Sequence, residues 1–213
     1  MPVIYNKDID DQTILAVWKI EEEEEELLAG LQLKQHELDF LGTLNKGKRL
    51  QQWLSTRLLL RKMLNTAEYI DCRMDEHGKP YLVNSPYSIS LSHSYDYAAV
   101  MIGKDRSVGV DIEKIKPKIH RIQQKFLSAP ELAQPNIKDH TEALYVCWCV
   151  KEAVYKWYGK KGLEFRKHIH IQPFDLKNAG EMLVKVDLPG GTQLITVCYF
   201  NTIDGYMLGY VVA

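Results

Sequence analysis

The residues with the most chemical promise stand in two short stretches, GVDIE (109–113) and WCVKEAVYK (148–156). If the first is a strand, Asp111 and Glu113 point to the same face. Their charges then repel unless something positive lies between them. A hard divalent cation meets that need, and Mg²⁺ is often held by one or two carboxylates together with substrate phosphates. The same D-x-E also suits a solvated strand end, with Lys114 or Lys116 close by. In the second stretch Trp148, Glu152 and Lys156 are spaced by four and stack along one helix face. Glu152 becomes a third carboxylate if that helix packs against the strand end. Lys156, one turn on, can then bind a phosphate that the metal also touches. The alternative is a surface Glu–Lys pair, worth only about 0.3–0.5 kcal/mol. That alternative does not explain why the pair shares a stripe with Trp148.

Other candidates are single residues in ordinary settings. SLSHS (90–94) closes a strand-like run, where His93 can donate to a phosphate and Ser92 or Ser94 can bond a nucleotide edge. A lone histidine near a strand end is equally a structural residue. No G-x-S-x-G surrounds these serines, which excludes the hydrolase nucleophile elbow. EHGKPYL (76–82) reads as a turn entering a strand, with Gly78 permitting close backbone approach and Lys79 a cation beside it. The chain has no G-x-x-x-x-G-K-[ST] and no G-x-G-x-x-G, so neither of those loops holds a nucleotide.

These residues need elements to carry them. TILAVWKI (13–20) reads as a strand. Six glutamates at 21–26 suit a helix start, and 34–44 reads as a short helix. From Lys46 to Leu64, Leu50, Trp53, Leu54, Leu58 and Met63 mark an amphipathic helix. Its other positions include Lys46, Lys48, Arg49, Arg57, Arg61 and Lys62, as consistent with a solvated face as with phosphate binding. Five strand-like runs follow, YIDCRMD, KPYLV, YSISLSHS, YAAVMIG and SVGVDIE, separated by turn signals. A helical zone from about 119 to 159 is broken near SAPE and QPN and stops at Gly159. EMLVKVDL, TQLITVCYF and YMLGYVVA close the chain as strands. The order predicts an α+β fold of two similar halves joined near 104–106, although no strong internal repeat is visible.

Composition narrows the classes further. A length of 213 residues suits one or two domains. The 46% apolar and 26% charged content is that of a globular chain. A formal net charge of −1 gives no broad basic surface for nucleic acid or membrane, so any anion site must be local. Cys72, Cys147, Cys149 and Cys198 form neither a C-x-x-C pair nor a zinc pattern, and are expected as buried thiols in a reducing compartment. The acidic start MPVIYNKDID is unlike a signal peptide. No apolar run approaches the ~20 residues of a membrane span. A soluble, cytoplasmic protein is expected.

Taken in order, GKP (78–80), SHS (92–94), GVDIE and WCVKEAVYK resemble the 4′-phosphopantetheinyl transferases, in particular the longer, two-lobed type that activates peptide synthetases and lysine-biosynthesis carriers. The likeness covers residues 78–156, and the last fifty residues add a matching strand pattern. It implies an α+β fold of two similar lobes with pseudo-twofold symmetry, residues 1–104 and 105–213, binding coenzyme A in the cleft between them. The implied reaction moves 4′-phosphopantetheine from coenzyme A to a serine of an apo acyl or peptidyl carrier protein and leaves adenosine 3′,5′-bisphosphate. By motif, Asp111, Glu113 and Glu152 correspond to Mg²⁺ ligands. Glu152 is also the expected general base, and Lys156 the pyrophosphate contact. Lys79, Pro80, Ser92 and His93 correspond to coenzyme A contacts, with Lys48, Arg49 and Arg57 as further phosphate candidates. Expected partners are the carrier protein and coenzyme A, with no nucleic acid, no membrane and a monomeric chain. The rival classes are a metal-dependent nuclease, which would need a basic surface, and a non-catalytic carrier-protein binder.

Overall fold

In the computed structural model, which describes residues 3–44, 47–203 and 205–213, the strand and helix periods resolve into two antiparallel sheets, each packed on one long helix. The first half runs through β1 (Val3–Asp10), β2 (Thr13–Lys19), α1 (Glu24–Ala29), α2 (Gln35–Thr43), α3 (Lys48–Met63), β3 (Cys72–Met74), β4 (Pro80–Leu82), β5 (Tyr87–Ser94) and β6 (Tyr97–Lys104). The second half begins with β7 (Val108–Lys114) and a 3₁₀ turn at Pro117–Arg121. It continues through α4 (Gln123–Phe126), α5 (Ala129–Leu132), α6 (Thr141–Tyr158), α7 (Phe165–His168), β8 (Ile169–Ile171), β9 (Ala179–Leu188), β10 (Gly191–Ile203) and β11 (Tyr206–Val212). Strand β1, helix α7 and strand β8 had no clear sequence signal. Lys46, at the expected start of the long helix, lies outside the described residues.

Strands β3 and β4 form a separate two-stranded pair, and the two large sheets are ordered β1-β2-β6-β5 and β7-β11-β10-β9-β8. Within them one unit occurs twice: a strand, a long helix, then a hairpin whose second strand pairs with the first strand. It is β2–α3–β5–β6 in one lobe and β7–α6–β10–β11 in the other. The match lies in pairing order, which a comparison of residue types could not show.

Three apolar clusters hold the lobes. Ala16, Trp18, Val100 and Ile102 face Leu54, Leu58 and Leu59 of α3. The alternate residues Leu15, Val17, Ala99 and Met101 meet Val108, Val110, Ile112 and Tyr206 in a cluster common to both sheets. β2 and β6 are therefore covered on both faces, which is why TILAVWKI and YAAVMIG are nearly unbroken apolar runs. The third cluster lies under α6, where Val146, Val150 and Val154 pack with Val184 and Val197.

The alternation along β7 decides where the acids go. Val108, Val110 and Ile112 enter the shared core, so Gly109, Asp111 and Glu113 take the other face. Helix α6 lies against that face: a Cβ on Gly109 would stand 2.0 Å from the carbonyl oxygen of Ala153. Gly209, paired with Asp111 across β7 and β11, makes a similar gap, with a Cβ there 2.9 Å from the Cys149 backbone. Two glycines thus let α6 settle onto the strands beside Asp111. Gly159, at φ 69°, ends α6 in a left-handed cap. Cys72, Cys147 and Cys149 are buried free thiols and Cys198 is half-buried. Among the described residues no helix is long and apolar enough to cross a membrane.

Candidate active site

Asp111 is the centre of the arrangement. It is buried, and its Oδ1 accepts from the Lys156 ammonium at 2.8 Å and from the Ser92 hydroxyl at 2.8 Å. Its Oδ2 is buried with no hydrogen-bond partner. Such an oxygen carries a desolvation cost of about 1–3 kcal/mol or more for a charged group unless a ligand or ion meets it. Glu113, two residues on, accepts from the Ser94 hydroxyl at 2.7 Å. Burial, and then the Asp111 charge, push its carboxyl above the usual range. Glu152 reaches the same region from α6. Burial, followed by Asp111, raises its pKa to about 7, against the opposing pull of Lys156.

Three carboxylates therefore press on one another around one lysine. Among the described residues no three acidic, histidine or cysteine side chains form a ready-made metal-binding group. The present contacts explain this: Lys156 and Ser92 occupy one oxygen of Asp111, and Glu113 is turned onto Ser94. The donors nonetheless suit a hard cation. They are all oxygens, one is buried and unpartnered, and their mutual repulsion is the kind a divalent ion relieves.

In front of these acids lies a cavity of about 380 Å³ between the lobes. Glu152, Lys156, Lys79, Pro80, His93 and Arg57 all line it. Lys79 arrives on the β3–β4 turn, where Asp75 Oδ1 accepts from the His77 and Lys79 amides at 2.8 Å each. The Lys79 ammonium then crosses between the lobes and donates to the Trp157 carbonyl at the end of α6, at 2.9 Å. Burial lowers its pKa, with Asp75 opposing. His93 opens an exposed edge to the cavity, while the enclosing wall, and after it the Lys156 charge, hold its imidazole below the usual value. Arg57 is buried in α3, lies over the Trp53 ring at 4.8 Å, and leaves Nε without a partner.

The remaining predicted residues stand elsewhere. Lys48 pairs with Asp96 and does not line the cavity. Arg49 is exposed, and its charge helps to lower the His93 pKa. Ser92 is behind the cavity wall, with its hydroxyl committed to Asp111. Trp148 does not enter the cavity either. It packs edge-on against Phe126 at 5.0 Å and beside Phe165 at 5.8 Å. The stripe of Trp148, Glu152 and Lys156 is therefore half anchor and half site.

Sequence reasoning missed Tyr155, Lys160 and Trp53 on the cavity wall. Tyr155 lies three residues from Glu152, a spacing that places both on the same side of the helix, and Lys160 follows the Gly159 cap. It also missed Lys151, which has no exposure. The Lys151 ammonium donates to Glu131 (2.9 Å) and to the carbonyls of Phe126 (2.9 Å), Phe165 (3.0 Å) and Ile169 (2.7 Å). It thereby fixes three flanking segments to α6. Burial lowers its pKa and Glu131 opposes this. No neighbour in sequence reveals that role, because every partner is 14 to 25 residues away.

Two lobes of one topology enclose a cavity with Glu152 and Lys156 on one wall and Lys79, His93 and Arg57 on the other. Residues 107–210, just under half of the chain, match the sequence model of the 4′-phosphopantetheinyl transferase superfamily. A 4′-phosphopantetheinyl transferase of Bacillus subtilis is 29% identical over 135 residues, 62% of this chain and 56% of that protein. One from Bacillus pumilus is 36% identical over 98 residues, 44% of this chain and 41% of its own. The 4′-phosphopantetheinyl transferase AcpT of Salmonella typhimurium is 30% identical over 120 residues, 54% and 62% respectively. The chain spans about half the length of the curated relatives it matches.

Proposed function

We propose that this protein, with residues 1–104 and 105–213 as its lobes, transfers 4′-phosphopantetheine from coenzyme A to a serine of an apo carrier protein and releases adenosine 3′,5′-bisphosphate. The observation that carries this is the interlobe cavity in which Glu152 and Lys156, backed by Asp111, face Lys79, His93 and Arg57. Cations on one wall suit the phosphates of the donor, and acids on the other suit a divalent ion and a proton acceptor.

Asp111, Glu113 and Glu152 would hold Mg²⁺, with the unpartnered Asp111 Oδ2 as the leading ligand. Bound there, the ion supplies charge neutralisation at the pyrophosphate. Arg57, Lys79 and His93 bind and orient the anionic donor. The carrier serine oxygen bonds to the phosphorus that bears pantetheine as that phosphorus parts from the bridging pyrophosphate oxygen. Glu152, with a pKa near 7, takes the serine proton. Lys156 meets the charge that develops on the departing bisphosphate.

The decisive experiment incubates the protein with coenzyme A, Mg²⁺ and a panel of apo carrier proteins and examines the carriers by mass spectrometry. A phosphopantetheine adduct that disappears in excess chelator is expected. The absence of any adduct across the panel overturns the reading.

A further inference from the structure

β5 and β7 are the facing edges of the two sheets, and an edge strand presents main-chain donors that need partners. Here the donors of β7 are met by side chains. The amides of Val110, Ile112 and Lys114 donate to the hydroxyl oxygens of Ser90 (2.9 Å), Ser92 (3.3 Å) and Ser94 (3.2 Å). This explains the alternate serines of SLSHS (90–94): at a period of two, all three hydroxyls point to the same neighbour. A hydroxyl that accepts one bond still has a proton to give. Ser92 gives it to Asp111 Oδ1 at 2.8 Å and Ser94 to Glu113 Oε2 at 2.7 Å. At Ser90 the residue in the equivalent place on β7 is Gly109, so that hydroxyl has no carboxylate to hold. All three serines are buried.

We propose that Ser92 and Ser94 are positioning residues for the acid pair, each gripping a β7 amide and the neighbouring carboxylate with one hydroxyl so that the acid's second oxygen is presented to the site. Asp111 displays this most clearly, since Ser92 and Lys156 share Oδ1 and Oδ2 is buried without a hydrogen bond, the Cys149 thiol lying beside the carboxylate. The sheet boundary between the lobes and the ligand geometry are then one structure. Each acid is aimed by the lobe that does not carry it. Ser90, which makes the same main-chain bond without an acid, is a control present in the molecule.

The inference rests on reading Asp111 and Glu113 as metal ligands, and its test separates the two ideas. Mn²⁺ binding is measured by titration calorimetry, without coenzyme A, on wild-type protein and on Ser90→Ala, Ser92→Ala and Ser94→Ala. Loss of a group that orients a ligand costs about 10–100-fold in metal affinity, and this is expected for Ser92→Ala and Ser94→Ala, with the Ser90→Ala midpoint unchanged. Alongside, a thermal-melt cycle in chelator combines each serine variant with Asp111→Asn. Ser92→Ala should be non-additive with Asp111→Asn, and Ser90→Ala additive. Unchanged Mn²⁺ affinity in Ser92→Ala and Ser94→Ala, or an additive Ser92/Asp111 cycle, overturns the positioning role. A wild-type protein that binds no divalent ion overturns the metal reading instead, and the chelator cycle still judges the serines.

Discussion

Each lobe buries one cation on its central helix, and the two are treated differently. Lys151 on α6 has every direction filled, by Glu131 and three carbonyls. Arg57 on α3 is also buried, yet its Nε finds no partner and the residue lines the interlobe cavity. A buried ammonium that is completely paired holds its own lobe together. A buried guanidinium with an open donor is poised for something that arrives from outside. The same contrast recurs among the acids. Glu131 is saturated by Ser128, Ile171 and Lys151, whereas Asp111 keeps Oδ2 open. One topology thus contains a finished charge cluster and an unfinished one, and the unfinished one lies between the lobes.

The comparison is most easily broken at Lys151. Lys151→Ala leaves Glu131 charged and uncompensated, so stability should fall by about 3–5 kcal/mol; a denaturant midpoint within error of wild type would mean the cluster is not structural. The C-terminal lobe's open acids should instead fail in rate. Asp111→Ala and Glu152→Gln should each reduce single-turnover transfer by at least about 100-fold while the thermal melt stays close to that of wild type. If Glu152→Gln recovered completely in excess Mg²⁺, Glu152 would remain a ligand but not the base.

On the N-terminal side, Arg57→Ala and Lys79→Ala should chiefly weaken donor binding. A charge-assisted hydrogen bond contributes about 1.5–3 kcal/mol, or about 10–100-fold in coenzyme A affinity. Equal losses of turnover and affinity would blur the division between a binding wall and a reacting wall. A smaller effect concerns Glu152 in metal-free protein. Its folded pKa of about 7 exceeds the ordinary glutamate value of 4.5, so between these values the folded state binds the extra proton and stability falls as pH rises. Glu152→Gln should therefore gain on wild type in chelator as pH climbs through that window and lose the advantage below it. A constant difference from pH 4 to 8 would deny the raised pKa. The smallest effect belongs to Lys48→Ala. Its pair with Asp96 is exposed, at 53% and 42% of side-chain surface, and should change stability by less than about 1 kcal/mol and leave coenzyme A affinity intact.

What the sequence determined by itself was local and periodic. Alternation placed β2, β5, β6 and β7 within a residue or two of their observed ends, and the i, i+4 spacing set Glu152 and Lys156 on one face of α6. The four ordered motifs pointed to the superfamily, because short runs such as GVDIE bring their chemistry with them. Tertiary structure alone decided which charges were neighbours. The partners of Lys151 are 14 to 25 residues away, and the acids held by Ser92 and Ser94 are 19 away. Lys48 and Arg57 share a helix and a charge sign, yet one pairs with Asp96 and the other lines the cavity. Ser92, read from sequence as a coenzyme A contact, directs its hydroxyl to Asp111, since a hydroxyl's partner is set by the strand beside it. Period fixes the direction in which a side chain leaves its own backbone. What it meets there depends on how two sheets abut and how closely Gly109 and Gly209 let α6 approach, and neither is a local property of the chain.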